Sequence, residues 1–462
     1  MKEPNFDNRA VMLSESPTKL MISQSFPAIL GMIVVGLYSF MDAVFVGNLV
    51  GKTAMTATSV AFPFTLLNNG ISTLIGIGSA SILSRAIGRK DKEIIEHIMG
   101  NMIALVSIFS LLLSVLGITF TRPLLMMAGA EGEVLDGAVR YLRIIFIGAV
   151  FVNFALAANM MMRGAGELRK AMLYMAVGAV INIVLDPIFI ILFRSSGKGL
   201  EAAAFATISA QFIQAAITLR YFIVESEDVK IKDIAIYKKI VPEIFAIGLS
   251  ATLMQIMTML QQTFMYRIAF LYGGTDWQTV LGASLRIQAF AFIPLWGISQ
   301  SFQPIVGTNY GAKEYARVRK ITLTFIGGAT LLALLFYIPI QLAPEKILAL
   351  FINDPAIVAM GKNDFRLMFA MYFLFGLMLI SITLFQALGR PVFAGVLAVL
   401  RQVLLLVPLV YFLPRISNLG IHGVFLAPAI ADGPLAVICI IQVSQTLKAL
   451  GRYGKNIAHE KT

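Results

Sequence analysis

Asp42 and Asp186 are the residues whose chemistry fits least well with their surroundings. The first lies in "LYSFMDAVFVG" and the second in "INIVLDPIFIILF", and both stretches are apolar enough to enter lipid. An aspartate at the centre of a membrane helix costs about 2.5 to 3.5 kcal/mol on insertion scales, so it needs a partner, a water-filled cavity or a proton. Each has a polar neighbour four residues earlier, Tyr38 before Asp42 and Asn182 before Asp186. That spacing puts both members of a pair on one helix face. Pro187 cannot donate the bond its position owes to the carbonyl of Ile183, which leaves an acceptor one residue from Asn182. Two carboxylates sharing a cavity resist ionising together, so such a pair could load a proton or a Na⁺ on one side and release it on the other.

Weaker candidates surround this pair. Pro27 in "SQSFPAILG" could kink the first span. Asn159 in "ALAANMMMRGAG" and Thr207 in "AAAFATISAQ" read, on spacing alone, as polar glue between helices. The C-terminal half differs in sign: Arg267 stands roughly where Asp42 does, and "RQVLLLVP" with Arg401 answers "INIVLDP" without an acid. Arg267 and Arg286 are near helix ends and can snorkel. Arg401 sits well inside its span, where pairing or lining of a C-terminal cavity is expected, and Asp432 in "AIADGPLAV" is an available partner. Cation coupling is therefore assigned to the N-terminal half. The 23 methionines, clustered in "LMQIMTML" and "NMMMRG", suit either an adaptable pocket or ordinary gap filling.

The elements that must position these residues are membrane helices. Of 462 residues 58% are hydrophobic and 13% charged, with mean hydropathy +0.82, about half the charge of an average soluble domain. Twelve apolar segments are long enough to cross about 30 Å of hydrocarbon. They run approximately over 19–46, 56–82, 98–120, 139–162, 172–193, 202–224, 240–271, 279–310, 321–342, 367–388, 392–413 and 421–447. With both termini cytoplasmic, 24 of the 37 basic residues fall in cytoplasmic loops or tails and 10 on the opposite side, which fits the retention of Lys and Arg inside. The net charge of +12 thus reads as loop charge and not as a nucleic-acid face. One cysteine, Cys439, excludes an intrachain disulfide and argues against a thiolate metal site; His97, His422 and His459 have no ligand spacing. The acidic start, with Glu3, Asp7 and Glu15 and no cleavage site, does not read as a signal peptide, and the first helix is expected to remain.

Landmarks repeat along the chain. "SRAIGRKD" (84–91) follows the second span as "GTNYGAKE" (307–314) follows the eighth, and "RGAGELRKA" (163–171) follows the fourth as "QALGRPVFA" (386–394) follows the tenth, both at an offset of 223. A six-helix unit is duplicated, and because six is even the copies enter the membrane in the same direction. The expected fold is an all-α membrane protein of twelve transmembrane helices in two parallel-repeat six-helix bundles around a central cavity. Its parts are a cytoplasmic tail 1–18, an N-terminal bundle 19–224, a cytoplasmic linker 225–239 in "ESEDVKIKDIAIYKK", a C-terminal bundle 240–447 and a cytoplasmic tail 448–462.

Twelve spans in two parallel repeats, with "LYSFMDAVFVG", "SRAIGRKD", "RGAG", "NIVLDPIF" and "QPIVGTNYGAK", resemble the MATE family of multidrug and toxic compound extrusion transporters over nearly the whole chain. The paired aspartates look most like its DinF-like and MepA-like branches, and the absence of an acid in the seventh span departs from the NorM-like pattern. The resemblance implies a V-shaped pair of bundles in the plasma membrane of a prokaryote, exporting organic cations and other amphipathic drugs in exchange for H⁺ or Na⁺ by alternating access. It maps a cation site, with Na⁺ as one possible metal, onto Asp42, Asn182, Asp186 and Thr207. Tyr38 and Asn159 would lie nearby, and Pro27 would fall where a bend of the first helix accompanies protonation. No cofactor besides the coupling ion is implied, the partners are small molecules and the bilayer, and a monomer suffices. A lipid-linked oligosaccharide flippase of the same superfamily is the alternative, kept open by the three intramembrane arginines. An intramembrane aspartyl protease, the enzyme reading, lacks its Gly-x-Gly-Asp pattern.

Overall fold

In hydrocarbon no water bonds the backbone, so each span must close its own hydrogen bonds, and a helix does so within one segment. A computed structural model of the chain describes residues 7–127, 130–226, 229–352, 354–416 and 419–459, and these contain helices and turns but no strand. In chain order the helices of the first half are α1 Asp7–Ser14, α2 Pro17–Phe45, α3 Lys52–Arg89, α4 Lys92–Met127, α5 Gly132–Ile147, α6 Ala149–Gly164, α7 Leu168–Arg194 and α8 Gly199–Arg220. There follow α9 Val241–Gly311, α10 Tyr315–Leu342, α11 Pro344–Leu348, α12 Pro355–Met368, α13 Phe375–Ala387, α14 Pro391–Val399, α15 Val407–Phe412 and α16 Ile421–His459.

Among the described residues ten spans are long and apolar enough on their own, and α5 with α6, bent by 55°, makes an eleventh. The 71-residue α9 counts twice, because Gly274 interrupts it at φ 70° and ψ −161°, a backbone that a side chain opposes. The chain is therefore a multi-pass membrane protein with the twelve crossings read from its hydropathy. Its outer surface confirms the solvent: Leu111, Leu112 and Val115 on α4 and Ile188, Ile191 and Leu192 on α7 are all more than half exposed. Small residues fill the contacts instead, as Ala155, Ala157 and Ala158 of α6 and Ala203, Ala204 and Ala206 of α8 are fully buried. Lipid tails are as apolar as leucine, so close backbone approach drives this packing.

The duplication is written in the backbone. Left-handed φ recurs at Gly51 and Gly274, Lys90 and Lys313, Gly166 and Gly389, and Gly197 and Gly420, every pair 223 residues apart. The broken fourth span, α5 with α6, returns at the same offset as α12 with α13, ending at Gly164 and Ala387.

Two compact units result, with boundaries that differ from the expected bundles. Unit 1 is Leu30–Gly248 with the described residues before Leu13; unit 2 is Leu13–Ile29 with Leu249 onward. In unit 2, Leu20 is buried in the large cluster with Phe302, Phe325 and Phe425, and the hydroxyls of Ser25 and Ser301 hydrogen-bond at 2.7 Å. In unit 1 the stretch read as a linker is instead a docked strap. Lys232 Nζ meets Glu96 Oε2 at 2.7 Å, the Tyr237 N–H donates to Asn101 Oδ1 at 2.9 Å, and its hydroxyl donates to Glu93. The Tyr237 ring stacks on His97 at 5.1 Å, and a side chain at Gly100 would collide with the Asp233 carbonyl. Beyond the strap, Glu243 pairs with Arg85 at 2.7 Å. These contacts carry the unit 1 boundary past residue 240.

Candidate functional site

Three helices of unit 1 bring the predicted polar residues together: α2 supplies Tyr38 and Asp42, α7 supplies Asn182 and Asp186, and α8 supplies Thr207. The Asn182 Nδ2 donates to Asp186 Oδ1 at 3.3 Å and to Thr207 Oγ1 at 3.4 Å. The carboxyls of Asp42 and Asp186 lie near one another, as do the hydroxyls of Tyr38 and Thr207. The i to i+4 spacing accounts for the local part, Asn182 to Asp186; helix packing adds the rest. Asp186 is fully buried and Asn182 is 2% exposed, while Asp42 is half-buried.

Donors run short in this cluster. Asp42 Oδ1, Asn182 Oδ1 and Asp186 Oδ2 are all covered and have no donor among the described residues. A buried acceptor left unmade costs roughly 1 to 3 kcal/mol, so three in one cluster are a strong call for positive charge. Two neighbouring carboxylates in so covered a site likewise resist ionising together, and a proton or a cation relieves that repulsion. The oxygens of two carboxylates, an amide and a hydroxyl are hard ligands that suit an alkali cation, and they can equally pass a proton. Among the described residues no group of three or more His, Cys, Asp or Glu could hold a metal.

Tyr141 of α5 was not among the predicted residues. It is 8% exposed and within electrostatic reach of Asp42, Tyr38 and Asp186. The available signal was its place on a buried helical stripe with Leu135, Ala138, Leu142 and Ile145, where it is the polar member. Asn159 stands apart from the acids. Its amide donates to the Ala171 carbonyl, roughly 16 Å along α7 from Asn182 at 1.5 Å per residue. It ties α6 to the start of α7. Pro27 and Pro187 both lie inside continuous helices, and Pro27 is two residues before the point where α2 passes from unit 2 to unit 1.

Unit 2 holds a different polar feature. Arg401 grips Asp432 with two bonds, Nε to Oδ1 at 2.8 Å and Nη2 to Oδ2 at 3.2 Å, and both residues are buried. Its Nη1 donates to Gln402 Oε1 at 3.3 Å, and the guanidinium lies 4.7 Å from the Phe375 ring centre. Arg401 opens a π-helical stretch, Leu400–Leu406, within its span. Arg267 and Arg286 are exposed. The backbone offset also corrects the expected correspondence between halves. The equivalents of Tyr38, Asp42, Asn182, Asp186 and Thr207 are Gln261, Met265, Leu405, Leu409 and Ile430, so neither Arg267 nor Arg401 replaces an acid.

Known proteins align with this arrangement along most of the chain. The MatE family model matches residues 27–188 and 249–412, one stretch in each repeat. The chain is 25% identical over 442 residues to an FAD transporter of Shewanella oneidensis, covering 94% of this chain and 95% of the relative. It is 25% identical over 440 residues to the multidrug export protein MepA of Staphylococcus aureus, covering 95% and 96%. A crystal structure of a MATE in complex with MaD3S superimposes with a TM-score of 0.89 at 25% identity, over 96% of this chain and 99% of that one.

Proposed function

Because the chain belongs to the MatE family of membrane transporters and is not an enzyme, we propose that it exports amphipathic drugs, organic cations among them, in exchange for H⁺ or Na⁺. The observation that carries this reading is the proximity of Asp42 and Asp186 among buried oxygens that have no donor among the described residues. A cation bound there neutralises the pair and holds α2 against α7; without it the like charges repel and favour a different packing of α2. A cationic drug that engages the same acids, or the packing they favour when ionised, competes with the coupling ion. Each ligand thus prefers one state, which is what exchange transport requires. Tyr38, Thr207 and Tyr141 would position or relay the cation, and Asn182 would orient Asp186. Asn159 would brace α6 against α7. One chain supplies the whole set, so a monomer suffices.

The distribution of Lys and Arg supports both termini on the cytoplasmic side of a plasma membrane. The flippase alternative requires a cationic cavity; it is not favoured, since Arg401 is neutralised by Asp432 while Arg267 and Arg286 are exposed. The test is uptake of a cationic dye into proteoliposomes holding the purified protein, driven by a pH gradient in Na⁺-free buffer or by a Na⁺ gradient. FAD is assayed beside the dye, given the relative of that name. Accumulation that disappears in Asp42→Asn assigns coupling to this site, and the effective gradient names the ion. Failure under both gradients with every cargo would move the flippase reading forward.

A further inference from the structure

The strap that joins the two repeats, "VKIKDIAIYKKI" at 229–240, has an unused outer face. It has no regular secondary structure, and Lys232 and Tyr237 are side chains by which it reaches α4. Between these two tethers Ile234 and Ile236 are left 65% and 46% exposed. Lys230 and Lys238 flank them and make no ion pair among the described residues.

Position along α4 sets the depth of this face. The Asp233 carbonyl rests on Gly100 and the Tyr237 N–H on Asn101, two and three residues into the apolar run that begins at Ile98. Ile234 and Ile236 are therefore held where α4 passes from headgroups into hydrocarbon. The strap also starts and ends on helices that cross the membrane, α8 and α9, and cannot leave this level without breaking its bonds to α4.

We propose that the strap is an interfacial anchor for anionic phospholipid, with Ile234 and Ile236 inserted at the headgroup boundary and Lys230 and Lys238 bound to lipid phosphates. Two apolar side chains bracketed by exposed lysines are the chemistry of an interfacial lipid contact, in which apolar burial and attraction to anionic headgroups act together. The anchor does not depend on the coupling cation, so its test is separate from transport.

The experiment places a single cysteine, Ile234→Cys in a Cys439→Ala background, labels it with an environment-sensitive fluorophore and reconstitutes the protein in phosphatidylcholine vesicles with or without phosphatidylglycerol. Cys439 is buried, so the same label on the chain with Cys439 retained serves if that background folds poorly. The expected result is quenching by lipid carrying a shallow nitroxide, protection from aqueous iodide, and a several-fold stronger lipid signal with phosphatidylglycerol. Lys230→Gln with Lys238→Gln should remove the phosphatidylglycerol dependence. A label quenched by iodide and not by lipid overturns the proposal, as does one shielded from both, which would place protein over the strap. Insertion that ignores phosphatidylglycerol and the lysine substitutions overturns the anionic-lipid assignment.

Discussion

Asp42 and Met265 stand 223 residues apart at corresponding positions of two copies of one helix, and where the first is an acid the second is a fully buried thioether. Asp186 and Leu409 are related in the same way. One backbone plan is thus built once with the acids and once without, so the plan does not need them. Giving unit 1 the residues of unit 2, Asp42→Met with Asp186→Leu, should leave thermal unfolding close to unchanged, because the same backbone plan packs with Met265 and Leu409 at these positions. Gradient-driven dye uptake should fall to background. Loss of folding in the double variant would mean that the acids are structural.

The Arg401–Asp432 pair should behave differently, because it is bidentate, buried and packed against Phe375. Arg401→Met alone leaves the Asp432 carboxylate without its partner and should destabilise by about 3 to 5 kcal/mol. Arg401→Met with Asp432→Leu should recover most of that loss. A thermal-unfolding series on the two single variants and the double variant reads the coupling directly. Additive losses would show that the two residues act independently.

The sequence made the span count, the duplication and the acid pair legible for physical reasons. Hydrocarbon thickness sets a minimum length for each apolar run, and a carboxylate in such a run is conspicuous. It also separated Arg401 from Arg267 and Arg286 by depth alone, and the structure buries the first and exposes the others. Tyr141 was hidden because one tyrosine on an apolar stripe looks like core until its neighbours from other helices are known. The strap was read as a linker because polarity marks a segment as aqueous, while its docking depends on Gly100 and Asn101, more than a hundred residues earlier. The correspondence of Arg267 and Arg401 with the acids failed because apolar helix stretches carry no register mark of their own, whereas the left-handed residues at the turns fix the offset.

Lys90 and Lys313 are the non-glycine residues with left-handed backbone among those described, at φ 59° and 63°. That conformation costs an L-residue about 1 to 2 kcal/mol, and Gly166 and Gly389 meet the same need at the second pair of turns without the strain. Lys90→Gly and Lys313→Gly should each be neutral or stabilising by up to about 1 kcal/mol, the gain being offset in part by the greater freedom of glycine in the unfolded chain. Lys90→Val and Lys313→Val should destabilise. A lower unfolding midpoint for either glycine variant would show that the lysine side chain contributes more than the backbone strain removes.

The strap should respond to alkali. The hydrogen bond and charge of Glu96 hold Lys232 above the ordinary lysine value, and the charge of Glu93 does the same for Lys239. The Glu93 bond also raises Tyr237, which keeps its hydroxyl as a donor. A group whose pKa is higher in the docked state favours docking at every pH below its free value, and this contribution disappears as pH rises through the raised one. Between neutral and mildly alkaline pH the strap should therefore stay docked, loosening only above the ordinary lysine range. A nitroxide at Ala235 should show constant mobility across the first interval and a rise beyond it, and Lys232→Gln should make it mobile already at neutral pH. Mobility that climbs between neutral and mildly alkaline conditions in the unsubstituted strap would mean that these lysines do not hold it down.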